Sequence, residues 1–178
     1  MGLDLIEFTL AVEDSFQLSI PDADAAVIYT PGQLVDYLMT RLPQSSTSGC
    51  VEQAAFYALR GASMRVLGYP RAAIGPETRW AEILPRRARR RHWRLLQHAT
   101  GTSKWPGLTP WGTLPKRLST IGGTARYLAT YTPGAFKGLD KRWTRTEVEK
   151  VISGLMTEQL GITTFEWDHR FVQDLGLS

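Results

Sequence analysis

The stretch from Gly2 to Leu38, "GLDLIEFTLAVEDSFQLSIPDADAAVIYTPGQLVDYL", decides how this chain is read. Apolar residues recur at Leu5, Phe8, Val12 and Phe16, and Leu3, Ile6 and Leu10 widen the stripe. That spacing predicts a helix over 3–16 with a broad buried face. Pro21 ends regular structure, and Asp22 is placed to cap a short helix over 23–28. Thr30 as N-cap and Pro31 at the first helical position open another helix, with Leu34, Tyr37, Leu38 and Leu42 as its stripe. The head of the chain therefore reads as three helices: long, short and medium.

Beyond it, "PQSSTS" from Pro43 is a linker. A helix follows from about Cys50 to Leu67, with Val51, Ala55, Leu59, Ala62 and Val66 in phase and Gly68 as its stop. An irregular stretch with Pro70, Gly75 and Pro76 leads to "WAEILP". Next comes "RRARRRHWRLLQHATG", helical and very basic. Residues 101–118 hold three prolines and three glycines and read as loop. A helix over about 119–130 and a turn region through Gly138 precede a last helix, 143–160. Thr144 and Glu147 give that helix a capping box, and Gly161 closes it. The tail is a loop anchored by Ile162, Phe165, Phe171, Val172 and Leu175. With no strand signal, the expected fold is all-α.

The bulk numbers agree with an ordinary globular protein of 178 residues, 43% hydrophobic and 21% charged. The first residues carry acids rather than a basic run before an apolar block, so no signal peptide is read. No segment approaches the roughly 18 apolar residues of a membrane span. One cysteine excludes an intramolecular disulfide, and three histidines support no metal site. The simplest expectation is a cytoplasmic protein. The net charge of +4 hides an asymmetry: residues 1–42 carry seven acids and one base, whereas 43–140 carry fifteen bases and four acids. Such a division suggests segments with different jobs, or segments that face one another.

Two self-similarities stand out. "TPGQLVDYLMT" from Thr30 and "TIGGTARYLAT" from Thr120 share Thr, Gly, Tyr, Leu and Thr in step, 90 residues apart. The helix ending Leu67–Gly68 is like the one ending Leu160–Gly161, and each runs into an apolar loop finishing in "EILP" or "QDLG".

The tail, "WTRTEVEKVISGLMTEQLGITTFEWDHRFVQDLGLS", resembles the first helix and long first loop of acyl carrier proteins. The head resembles their second, third and fourth helices, through the "IE" and "AVE" of its first helix, the "F-x-L-x-IPD" turn and the "T-x-G-x-L-V-x-Y" last helix. Together the two stretches cover about 75 residues, close to one carrier domain of the usual size for a small independent fold. The order is inverted, so the resemblance implies a circularly permuted carrier bundle built from 1–42 plus 141–178. Closely spaced surface termini tolerate such permutation. Residues 50–131 look like a degenerate, Arg-rich second unit set between the halves, with helix one at 50–67, the basic helix as helix two and 119–130 as helix four.

In that family a serine at the start of helix two, in "D-S-L", carries 4′-phosphopantetheine. Free N–H groups and the positive end of the dipole suit a phosphodiester there. The resemblance places Gly2 at the serine and Met1 at the preceding Asp, and glycine offers no hydroxyl. No cofactor is then expected; 4′-phosphopantetheine enters only if Ser178, after "DLGL", substitutes. The chain is expected to be a non-enzymatic pseudo-carrier or interaction module. Its partner-facing surface is the acidic face of Asp4, Glu7, Glu13 and Asp14, for which a solvated helix face is the plain alternative. Either a protein partner or the chain's own basic unit would complement it, since opposite charges steer association. Two closures of the bundle by the tail helix stay open, within one chain or by exchange in a swapped homodimer.

The basic run Arg86, Arg87, Arg89, Arg90, Arg91 and Arg94, with Trp93, leaves nucleic acid or an anionic membrane surface open as partners beside a protein-facing or solvated helix. Trp105 and Trp111 read as pins holding a loop to the core. Cys50 reads as a small buried residue, and His92 and His98 as surface residues. No Gly-rich phosphate loop, H-E-x-x-H or G-x-S-x-G motif occurs, so no catalytic residue and no metal ligand is assigned.

Overall fold

The computed structural model describes residues 2–45, 49–137 and 141–177. Among them the chain is all-α: α1 (Leu3–Phe16), α2 (Asp22–Ala25), α3 (Pro31–Arg41), α4 (Val51–Leu67), α5 (Trp80–Ile83), α6 (Arg89–Thr100), α7 (Ile121–Tyr131) and α8 (Arg145–Leu160). The described residues contain no strand, only two isolated bridges. They fall into a split unit, Met1–Gly49 with Lys137–Ser178, and a continuous unit, Cys50–Phe136.

In the split unit α8 packs against both α1 and α3. Phe8, Val12 and Phe16 of α1, Val35 and Leu38 of α3, and Val148, Ile152, Leu155 and Met156 of α8 are all buried. Burying one such side chain contributes about 1.5–3 kcal/mol, so periodicity on three helices suffices to drive closure. The tail adds Phe171, whose ring lies 5.8 Å from that of Phe8. Trp143, just before α8, lies 4.9 Å from Phe16.

Both chain passages into and out of this unit are tied to one carboxylate. Glu147 is 5% exposed; it accepts from Lys137 Nζ at 2.6 Å, from Gly49 N at 3.1 Å and from Thr144 N at 2.9 Å. The last bond and the cap on Glu147 N complete the capping box of α8. A short parallel bridge lies alongside, with Trp143 N donating to Pro43 O at 2.7 Å and Ser45 N to Trp143 O at 2.8 Å. Burial pushes the Glu147 carboxyl up, but the bonds from Lys137 and Thr144 and the Lys137 charge outweigh it and hold it below its ordinary value.

The continuous unit gathers Ala55, Leu59 and Ala62 of α4, Trp93 and Leu96 of α6, Ile121, Ala125 and Leu128 of α7, and Ile74, Trp80, Ile83 and Leu84 around one core. One buried polar chain runs through it: Trp80 Nε1 donates to Thr124 Oγ1 at 2.8 Å, which donates to Leu118 O at 3.1 Å. Trp80 meets Trp93 edge-on at 5.0 Å between ring centres, and Trp93 meets Trp105 at a tilt at 4.8 Å.

The same clamps recur in each unit. Gly32 N donates to Trp167 O at 2.8 Å, and Gly122 N donates to Pro76 O at 2.8 Å. A Cβ on Gly32 would come within 2.8 Å of Trp167 O, so that approach requires glycine, and one on Gly122 would sit a tight 3.0 Å from Pro76 O. Phe171 N donates to Tyr29 O at 2.9 Å, and Trp80 N to Ser119 O at 3.0 Å. Thr30 and Thr120 each cap their helix by accepting from the residue three positions on. Ile121 N adds a bond to Thr78 O; Pro31, in the matching position, has no N–H to give.

Several local expectations are corrected. The short helix is Asp22–Ala25, with Pro21 as N-cap and no cap from the Asp22 side chain. Residues 86–88 form a separate 3₁₀ turn, so the basic α-helix starts at Arg89. Cys50 is exposed, because it precedes α4 at the N-cap position rather than lying on its buried face.

Candidate functional site

The start of α1 is the first candidate. Gly2 is its N-cap, with φ −76° and ψ 170°, and no side chain caps the helix there. Gly2 O accepts from Ile6 N at 3.1 Å, so the helix begins immediately after it. No hydroxyl is available at this N-cap. Met1 and Ser178 lie outside the described residues. The tail is fixed as far as Leu177, which is 6% exposed and whose N–H donates to Phe171 O at 2.9 Å. Among Leu5, Phe8, Ile20, Leu34 and Phe171 only about 20 Å3 is open. That is room for about one water.

The four acids on α1 do not act alike. At 3.6 residues per turn, Asp4, Glu7 and Asp14 fall on one strip of helix about 80° wide, while Glu13 is turned well away. Asp4, Glu7 and Asp14 are exposed. Glu13 is half-buried and accepts from Ile20 N at 2.6 Å, holding the "FQLSI" turn that follows the helix. It is a structural residue. Beside them Leu3, Ile6 and Leu10 are exposed as well.

The basic run also divides. Arg90 Nη2 donates to Pro110 O at 2.7 Å, Arg89 Nη1 to Gly112 O at 3.2 Å and Trp93 Nε1 to Pro106 O at 2.7 Å. These three residues of α6 staple the proline-rich loop to the helix. Arg86, Arg87, Arg91 and Arg94 are exposed. Of the two loop tryptophans, Trp105 pins the loop as expected. Trp111 does not: it is 89% exposed, at the tip of a turn closed by Gly112 N donating to Thr109 O at 2.8 Å. His98 is exposed; His92 is half-buried, its Nδ1 3.0 Å from Ala88 O.

No protein-family model matches the chain, and no solved structure matches it.

Among the described residues no three His, Cys, Asp or Glu side chains are grouped to hold a metal ion. Asp168 and His169 do not pair; the His169 ring accepts from Glu166 N at 3.2 Å. No helix among the described residues is long and apolar enough to cross a membrane.

Sequence reading missed a cleft of about 630 Å3 in the continuous unit, formed where Trp80 N bonds Ser119 O. That bond brings Arg79 and Trp80 beside Lys116 and Thr120, and Arg89 closes the third side. Arg89 belongs to the basic run, Trp80 opens "WAEILP" and Thr120 opens the repeated "TIGGTARYLAT", but nothing in those segments ties them to one another. They come together through backbone bonds that carry no side-chain signature.

Proposed function

We propose that this protein is a non-catalytic, acyl-carrier-like interaction module. In this reading each unit is a small bundle of the carrier type, and the split one takes its helix one from α8. The twin glycine clamps at Gly32 and Gly122, with matched bonds at Phe171 and Trp80, support two related units with the helix order inverted in the first. The observation that carries the functional reading is Gly2 at the N-cap of α1, where a modifiable serine belongs. In the continuous unit the matching helix start is "PRRA", also without a hydroxyl. Asp4, Glu7 and Asp14, flanked by Leu3, Ile6 and Leu10, would meet a basic protein partner with an apolar margin. Opposite charge sets encounter rate and orientation, and apolar contact supplies affinity.

Incubation with a phosphopantetheinyl transferase and coenzyme A, followed by intact mass measurement, tests this. The mass is expected to be unchanged; a gain of about 340 Da, the size of the transferred group, overturns the reading. Should a gain appear and vanish in Ser178→Ala, the protein is an active carrier loaded at Ser178.

A second reading rests on Arg86, Arg87, Arg91 and Arg94, exposed on and just before α6. They suit a polyanionic surface, either nucleic acid or acidic lipid. Binding to duplex DNA or to phosphatidylserine vesicles that falls steeply between low and physiological salt supports it. No binding at low salt excludes it.

A further inference from the structure

We propose that the cleft beside Arg89 binds a small, untethered amphipathic organic anion: an apolar body carrying one carboxylate. The site lies within the continuous unit and does not depend on the carrier-like reading.

Size comes first. About 630 Å3 lies inside the range of roughly 300–1,000 Å3 typical of small-molecule sites. Wall chemistry comes second. Trp80, Leu84, Leu108 and Leu114 line it, and Trp80 is held in one position by its bond to Thr124 and its contact with Trp93. Leu108 and Leu114 offer the half-buried apolar surface, and the fixed Trp80 behind the lining keeps the wall rigid at little entropic cost to an apolar ligand. Charge comes third: Arg79, Arg89 and Lys116 line the cleft against a single acid, Glu77.

Arg89 decides the class of ligand. Its stem lies along the loop turn, where a Cβ on Gly112 would sit 3.8 Å from Arg89 Cδ. Nη1 is committed to Gly112 O. Nε is buried and has no partner among the described residues. A buried donor without an acceptor is costly, and a charged one more so. The edge formed by Nε and Nη2 is the one that accepts a carboxylate side-on, through two parallel N–H···O bonds. The guanidinium is thus held beside the cleft by the Gly112 staple, with its buried Nε still unpaired. An inorganic anion would use that edge and none of the apolar wall. A neutral apolar molecule would use the wall and leave Nε unpaired.

Titrating the whole chain with 4-phenylbutyrate, followed by amide and indole N–H chemical shifts, tests this. The expected result is saturable shifts at the Trp80 indole and at residues 112–116. Arg89→Lys keeps the charge but loses the fork, and is expected to weaken binding about tenfold. Lys116→Gln, at an exposed position, is expected to weaken it about threefold while leaving shifts elsewhere unchanged. Any of four results overturns the proposal: no saturable shift below about 10 mM; equal binding of 4-phenylbutanol, which marks a merely greasy cleft; equal shifts with inorganic phosphate, which marks a simple anion site; or unchanged affinity in both variants.

Discussion

The two units differ in what they enclose. In the split unit the space between α1, α2, the start of α3 and Phe171 has closed to about 20 Å3. In the continuous unit the space between Trp80, the start of α6, the 108–114 loop and the start of α7 stays open at about 630 Å3. The clamps are shared: glycine to loop carbonyl at the helix start, and loop N–H back to the residue before the cap. The filling is not. Leu5 and Phe8 of α1, with Ile20 and Ile28, occupy the space in one unit. In the other a proline-rich loop stands off the helix on arginine staples. Alike clamp bonds thus go with a sealed core in one unit, where hydrophobes fill the space, and with a cleft in the other, where Arg89 borders it.

The largest expected break in this symmetry is at Glu147. It is the buried carboxylate of the split unit, while the acids of the continuous unit, Glu52, Glu77 and Glu82, are all exposed. Glu147→Ala leaves Lys137, 9% exposed, without its partner, and is expected to cost about 3–5 kcal/mol in the split unit's urea transition. The continuous unit's transition should not move. The sign with pH follows from the lowered Glu147 carboxyl. Its contribution is complete above the ordinary value of 4.5 and is lost as pH falls through the lower folded one. Acid melts should therefore destabilise the split unit through this group, and Glu147→Gln should remove that dependence.

Next in size are the twin glycines. Gly32→Ala and Gly122→Ala each push a Cβ against a carbonyl, and each is expected to cost about 1–3 kcal/mol in its own unit by thermal melting. Unequal costs would sharpen the comparison by showing which clamp has more give. The caps come third: Thr30→Ala and Thr120→Ala are expected to cost about 1 kcal/mol apiece. Smallest is Arg91→Gln, an exposed member of the basic run, expected to shift stability by less than about 0.5 kcal/mol. A larger loss there would show that the outer arginines are structural too.

The helices that repeat an apolar residue over several turns were legible, and so were their ends wherever a cap residue marks them: Thr30, Thr144, Gly68 and Gly161. What escaped has a physical reason in each case. Four-residue helices such as Trp80–Ile83 are too short to show a period. Arg89 and Arg90 read as free charge because their partners are loop carbonyls some twenty residues on, and a carbonyl carries no sequence signature. Glu13 read as surface charge for the same reason, its partner being the N–H of Ile20. The missing hydroxyl at Gly2 was visible at once, because an absent side chain needs no tertiary information. The cleft was invisible, because a backbone bond between residues 80 and 119 brings its walls together.

The claim beneath all of this is that the two outer segments make one cooperative bundle, with α8 packed on α1 and Phe171 on Phe8. The direct measurement is on a chain in which Gly49 is joined to Lys137 by a short flexible linker, leaving out Cys50–Phe136. A single cooperative melt, dispersed amide shifts and an Overhauser contact between the Phe8 and Phe171 rings are expected. A collapsed amide spectrum without a melt, or a folded chain lacking that ring contact, would contradict the account.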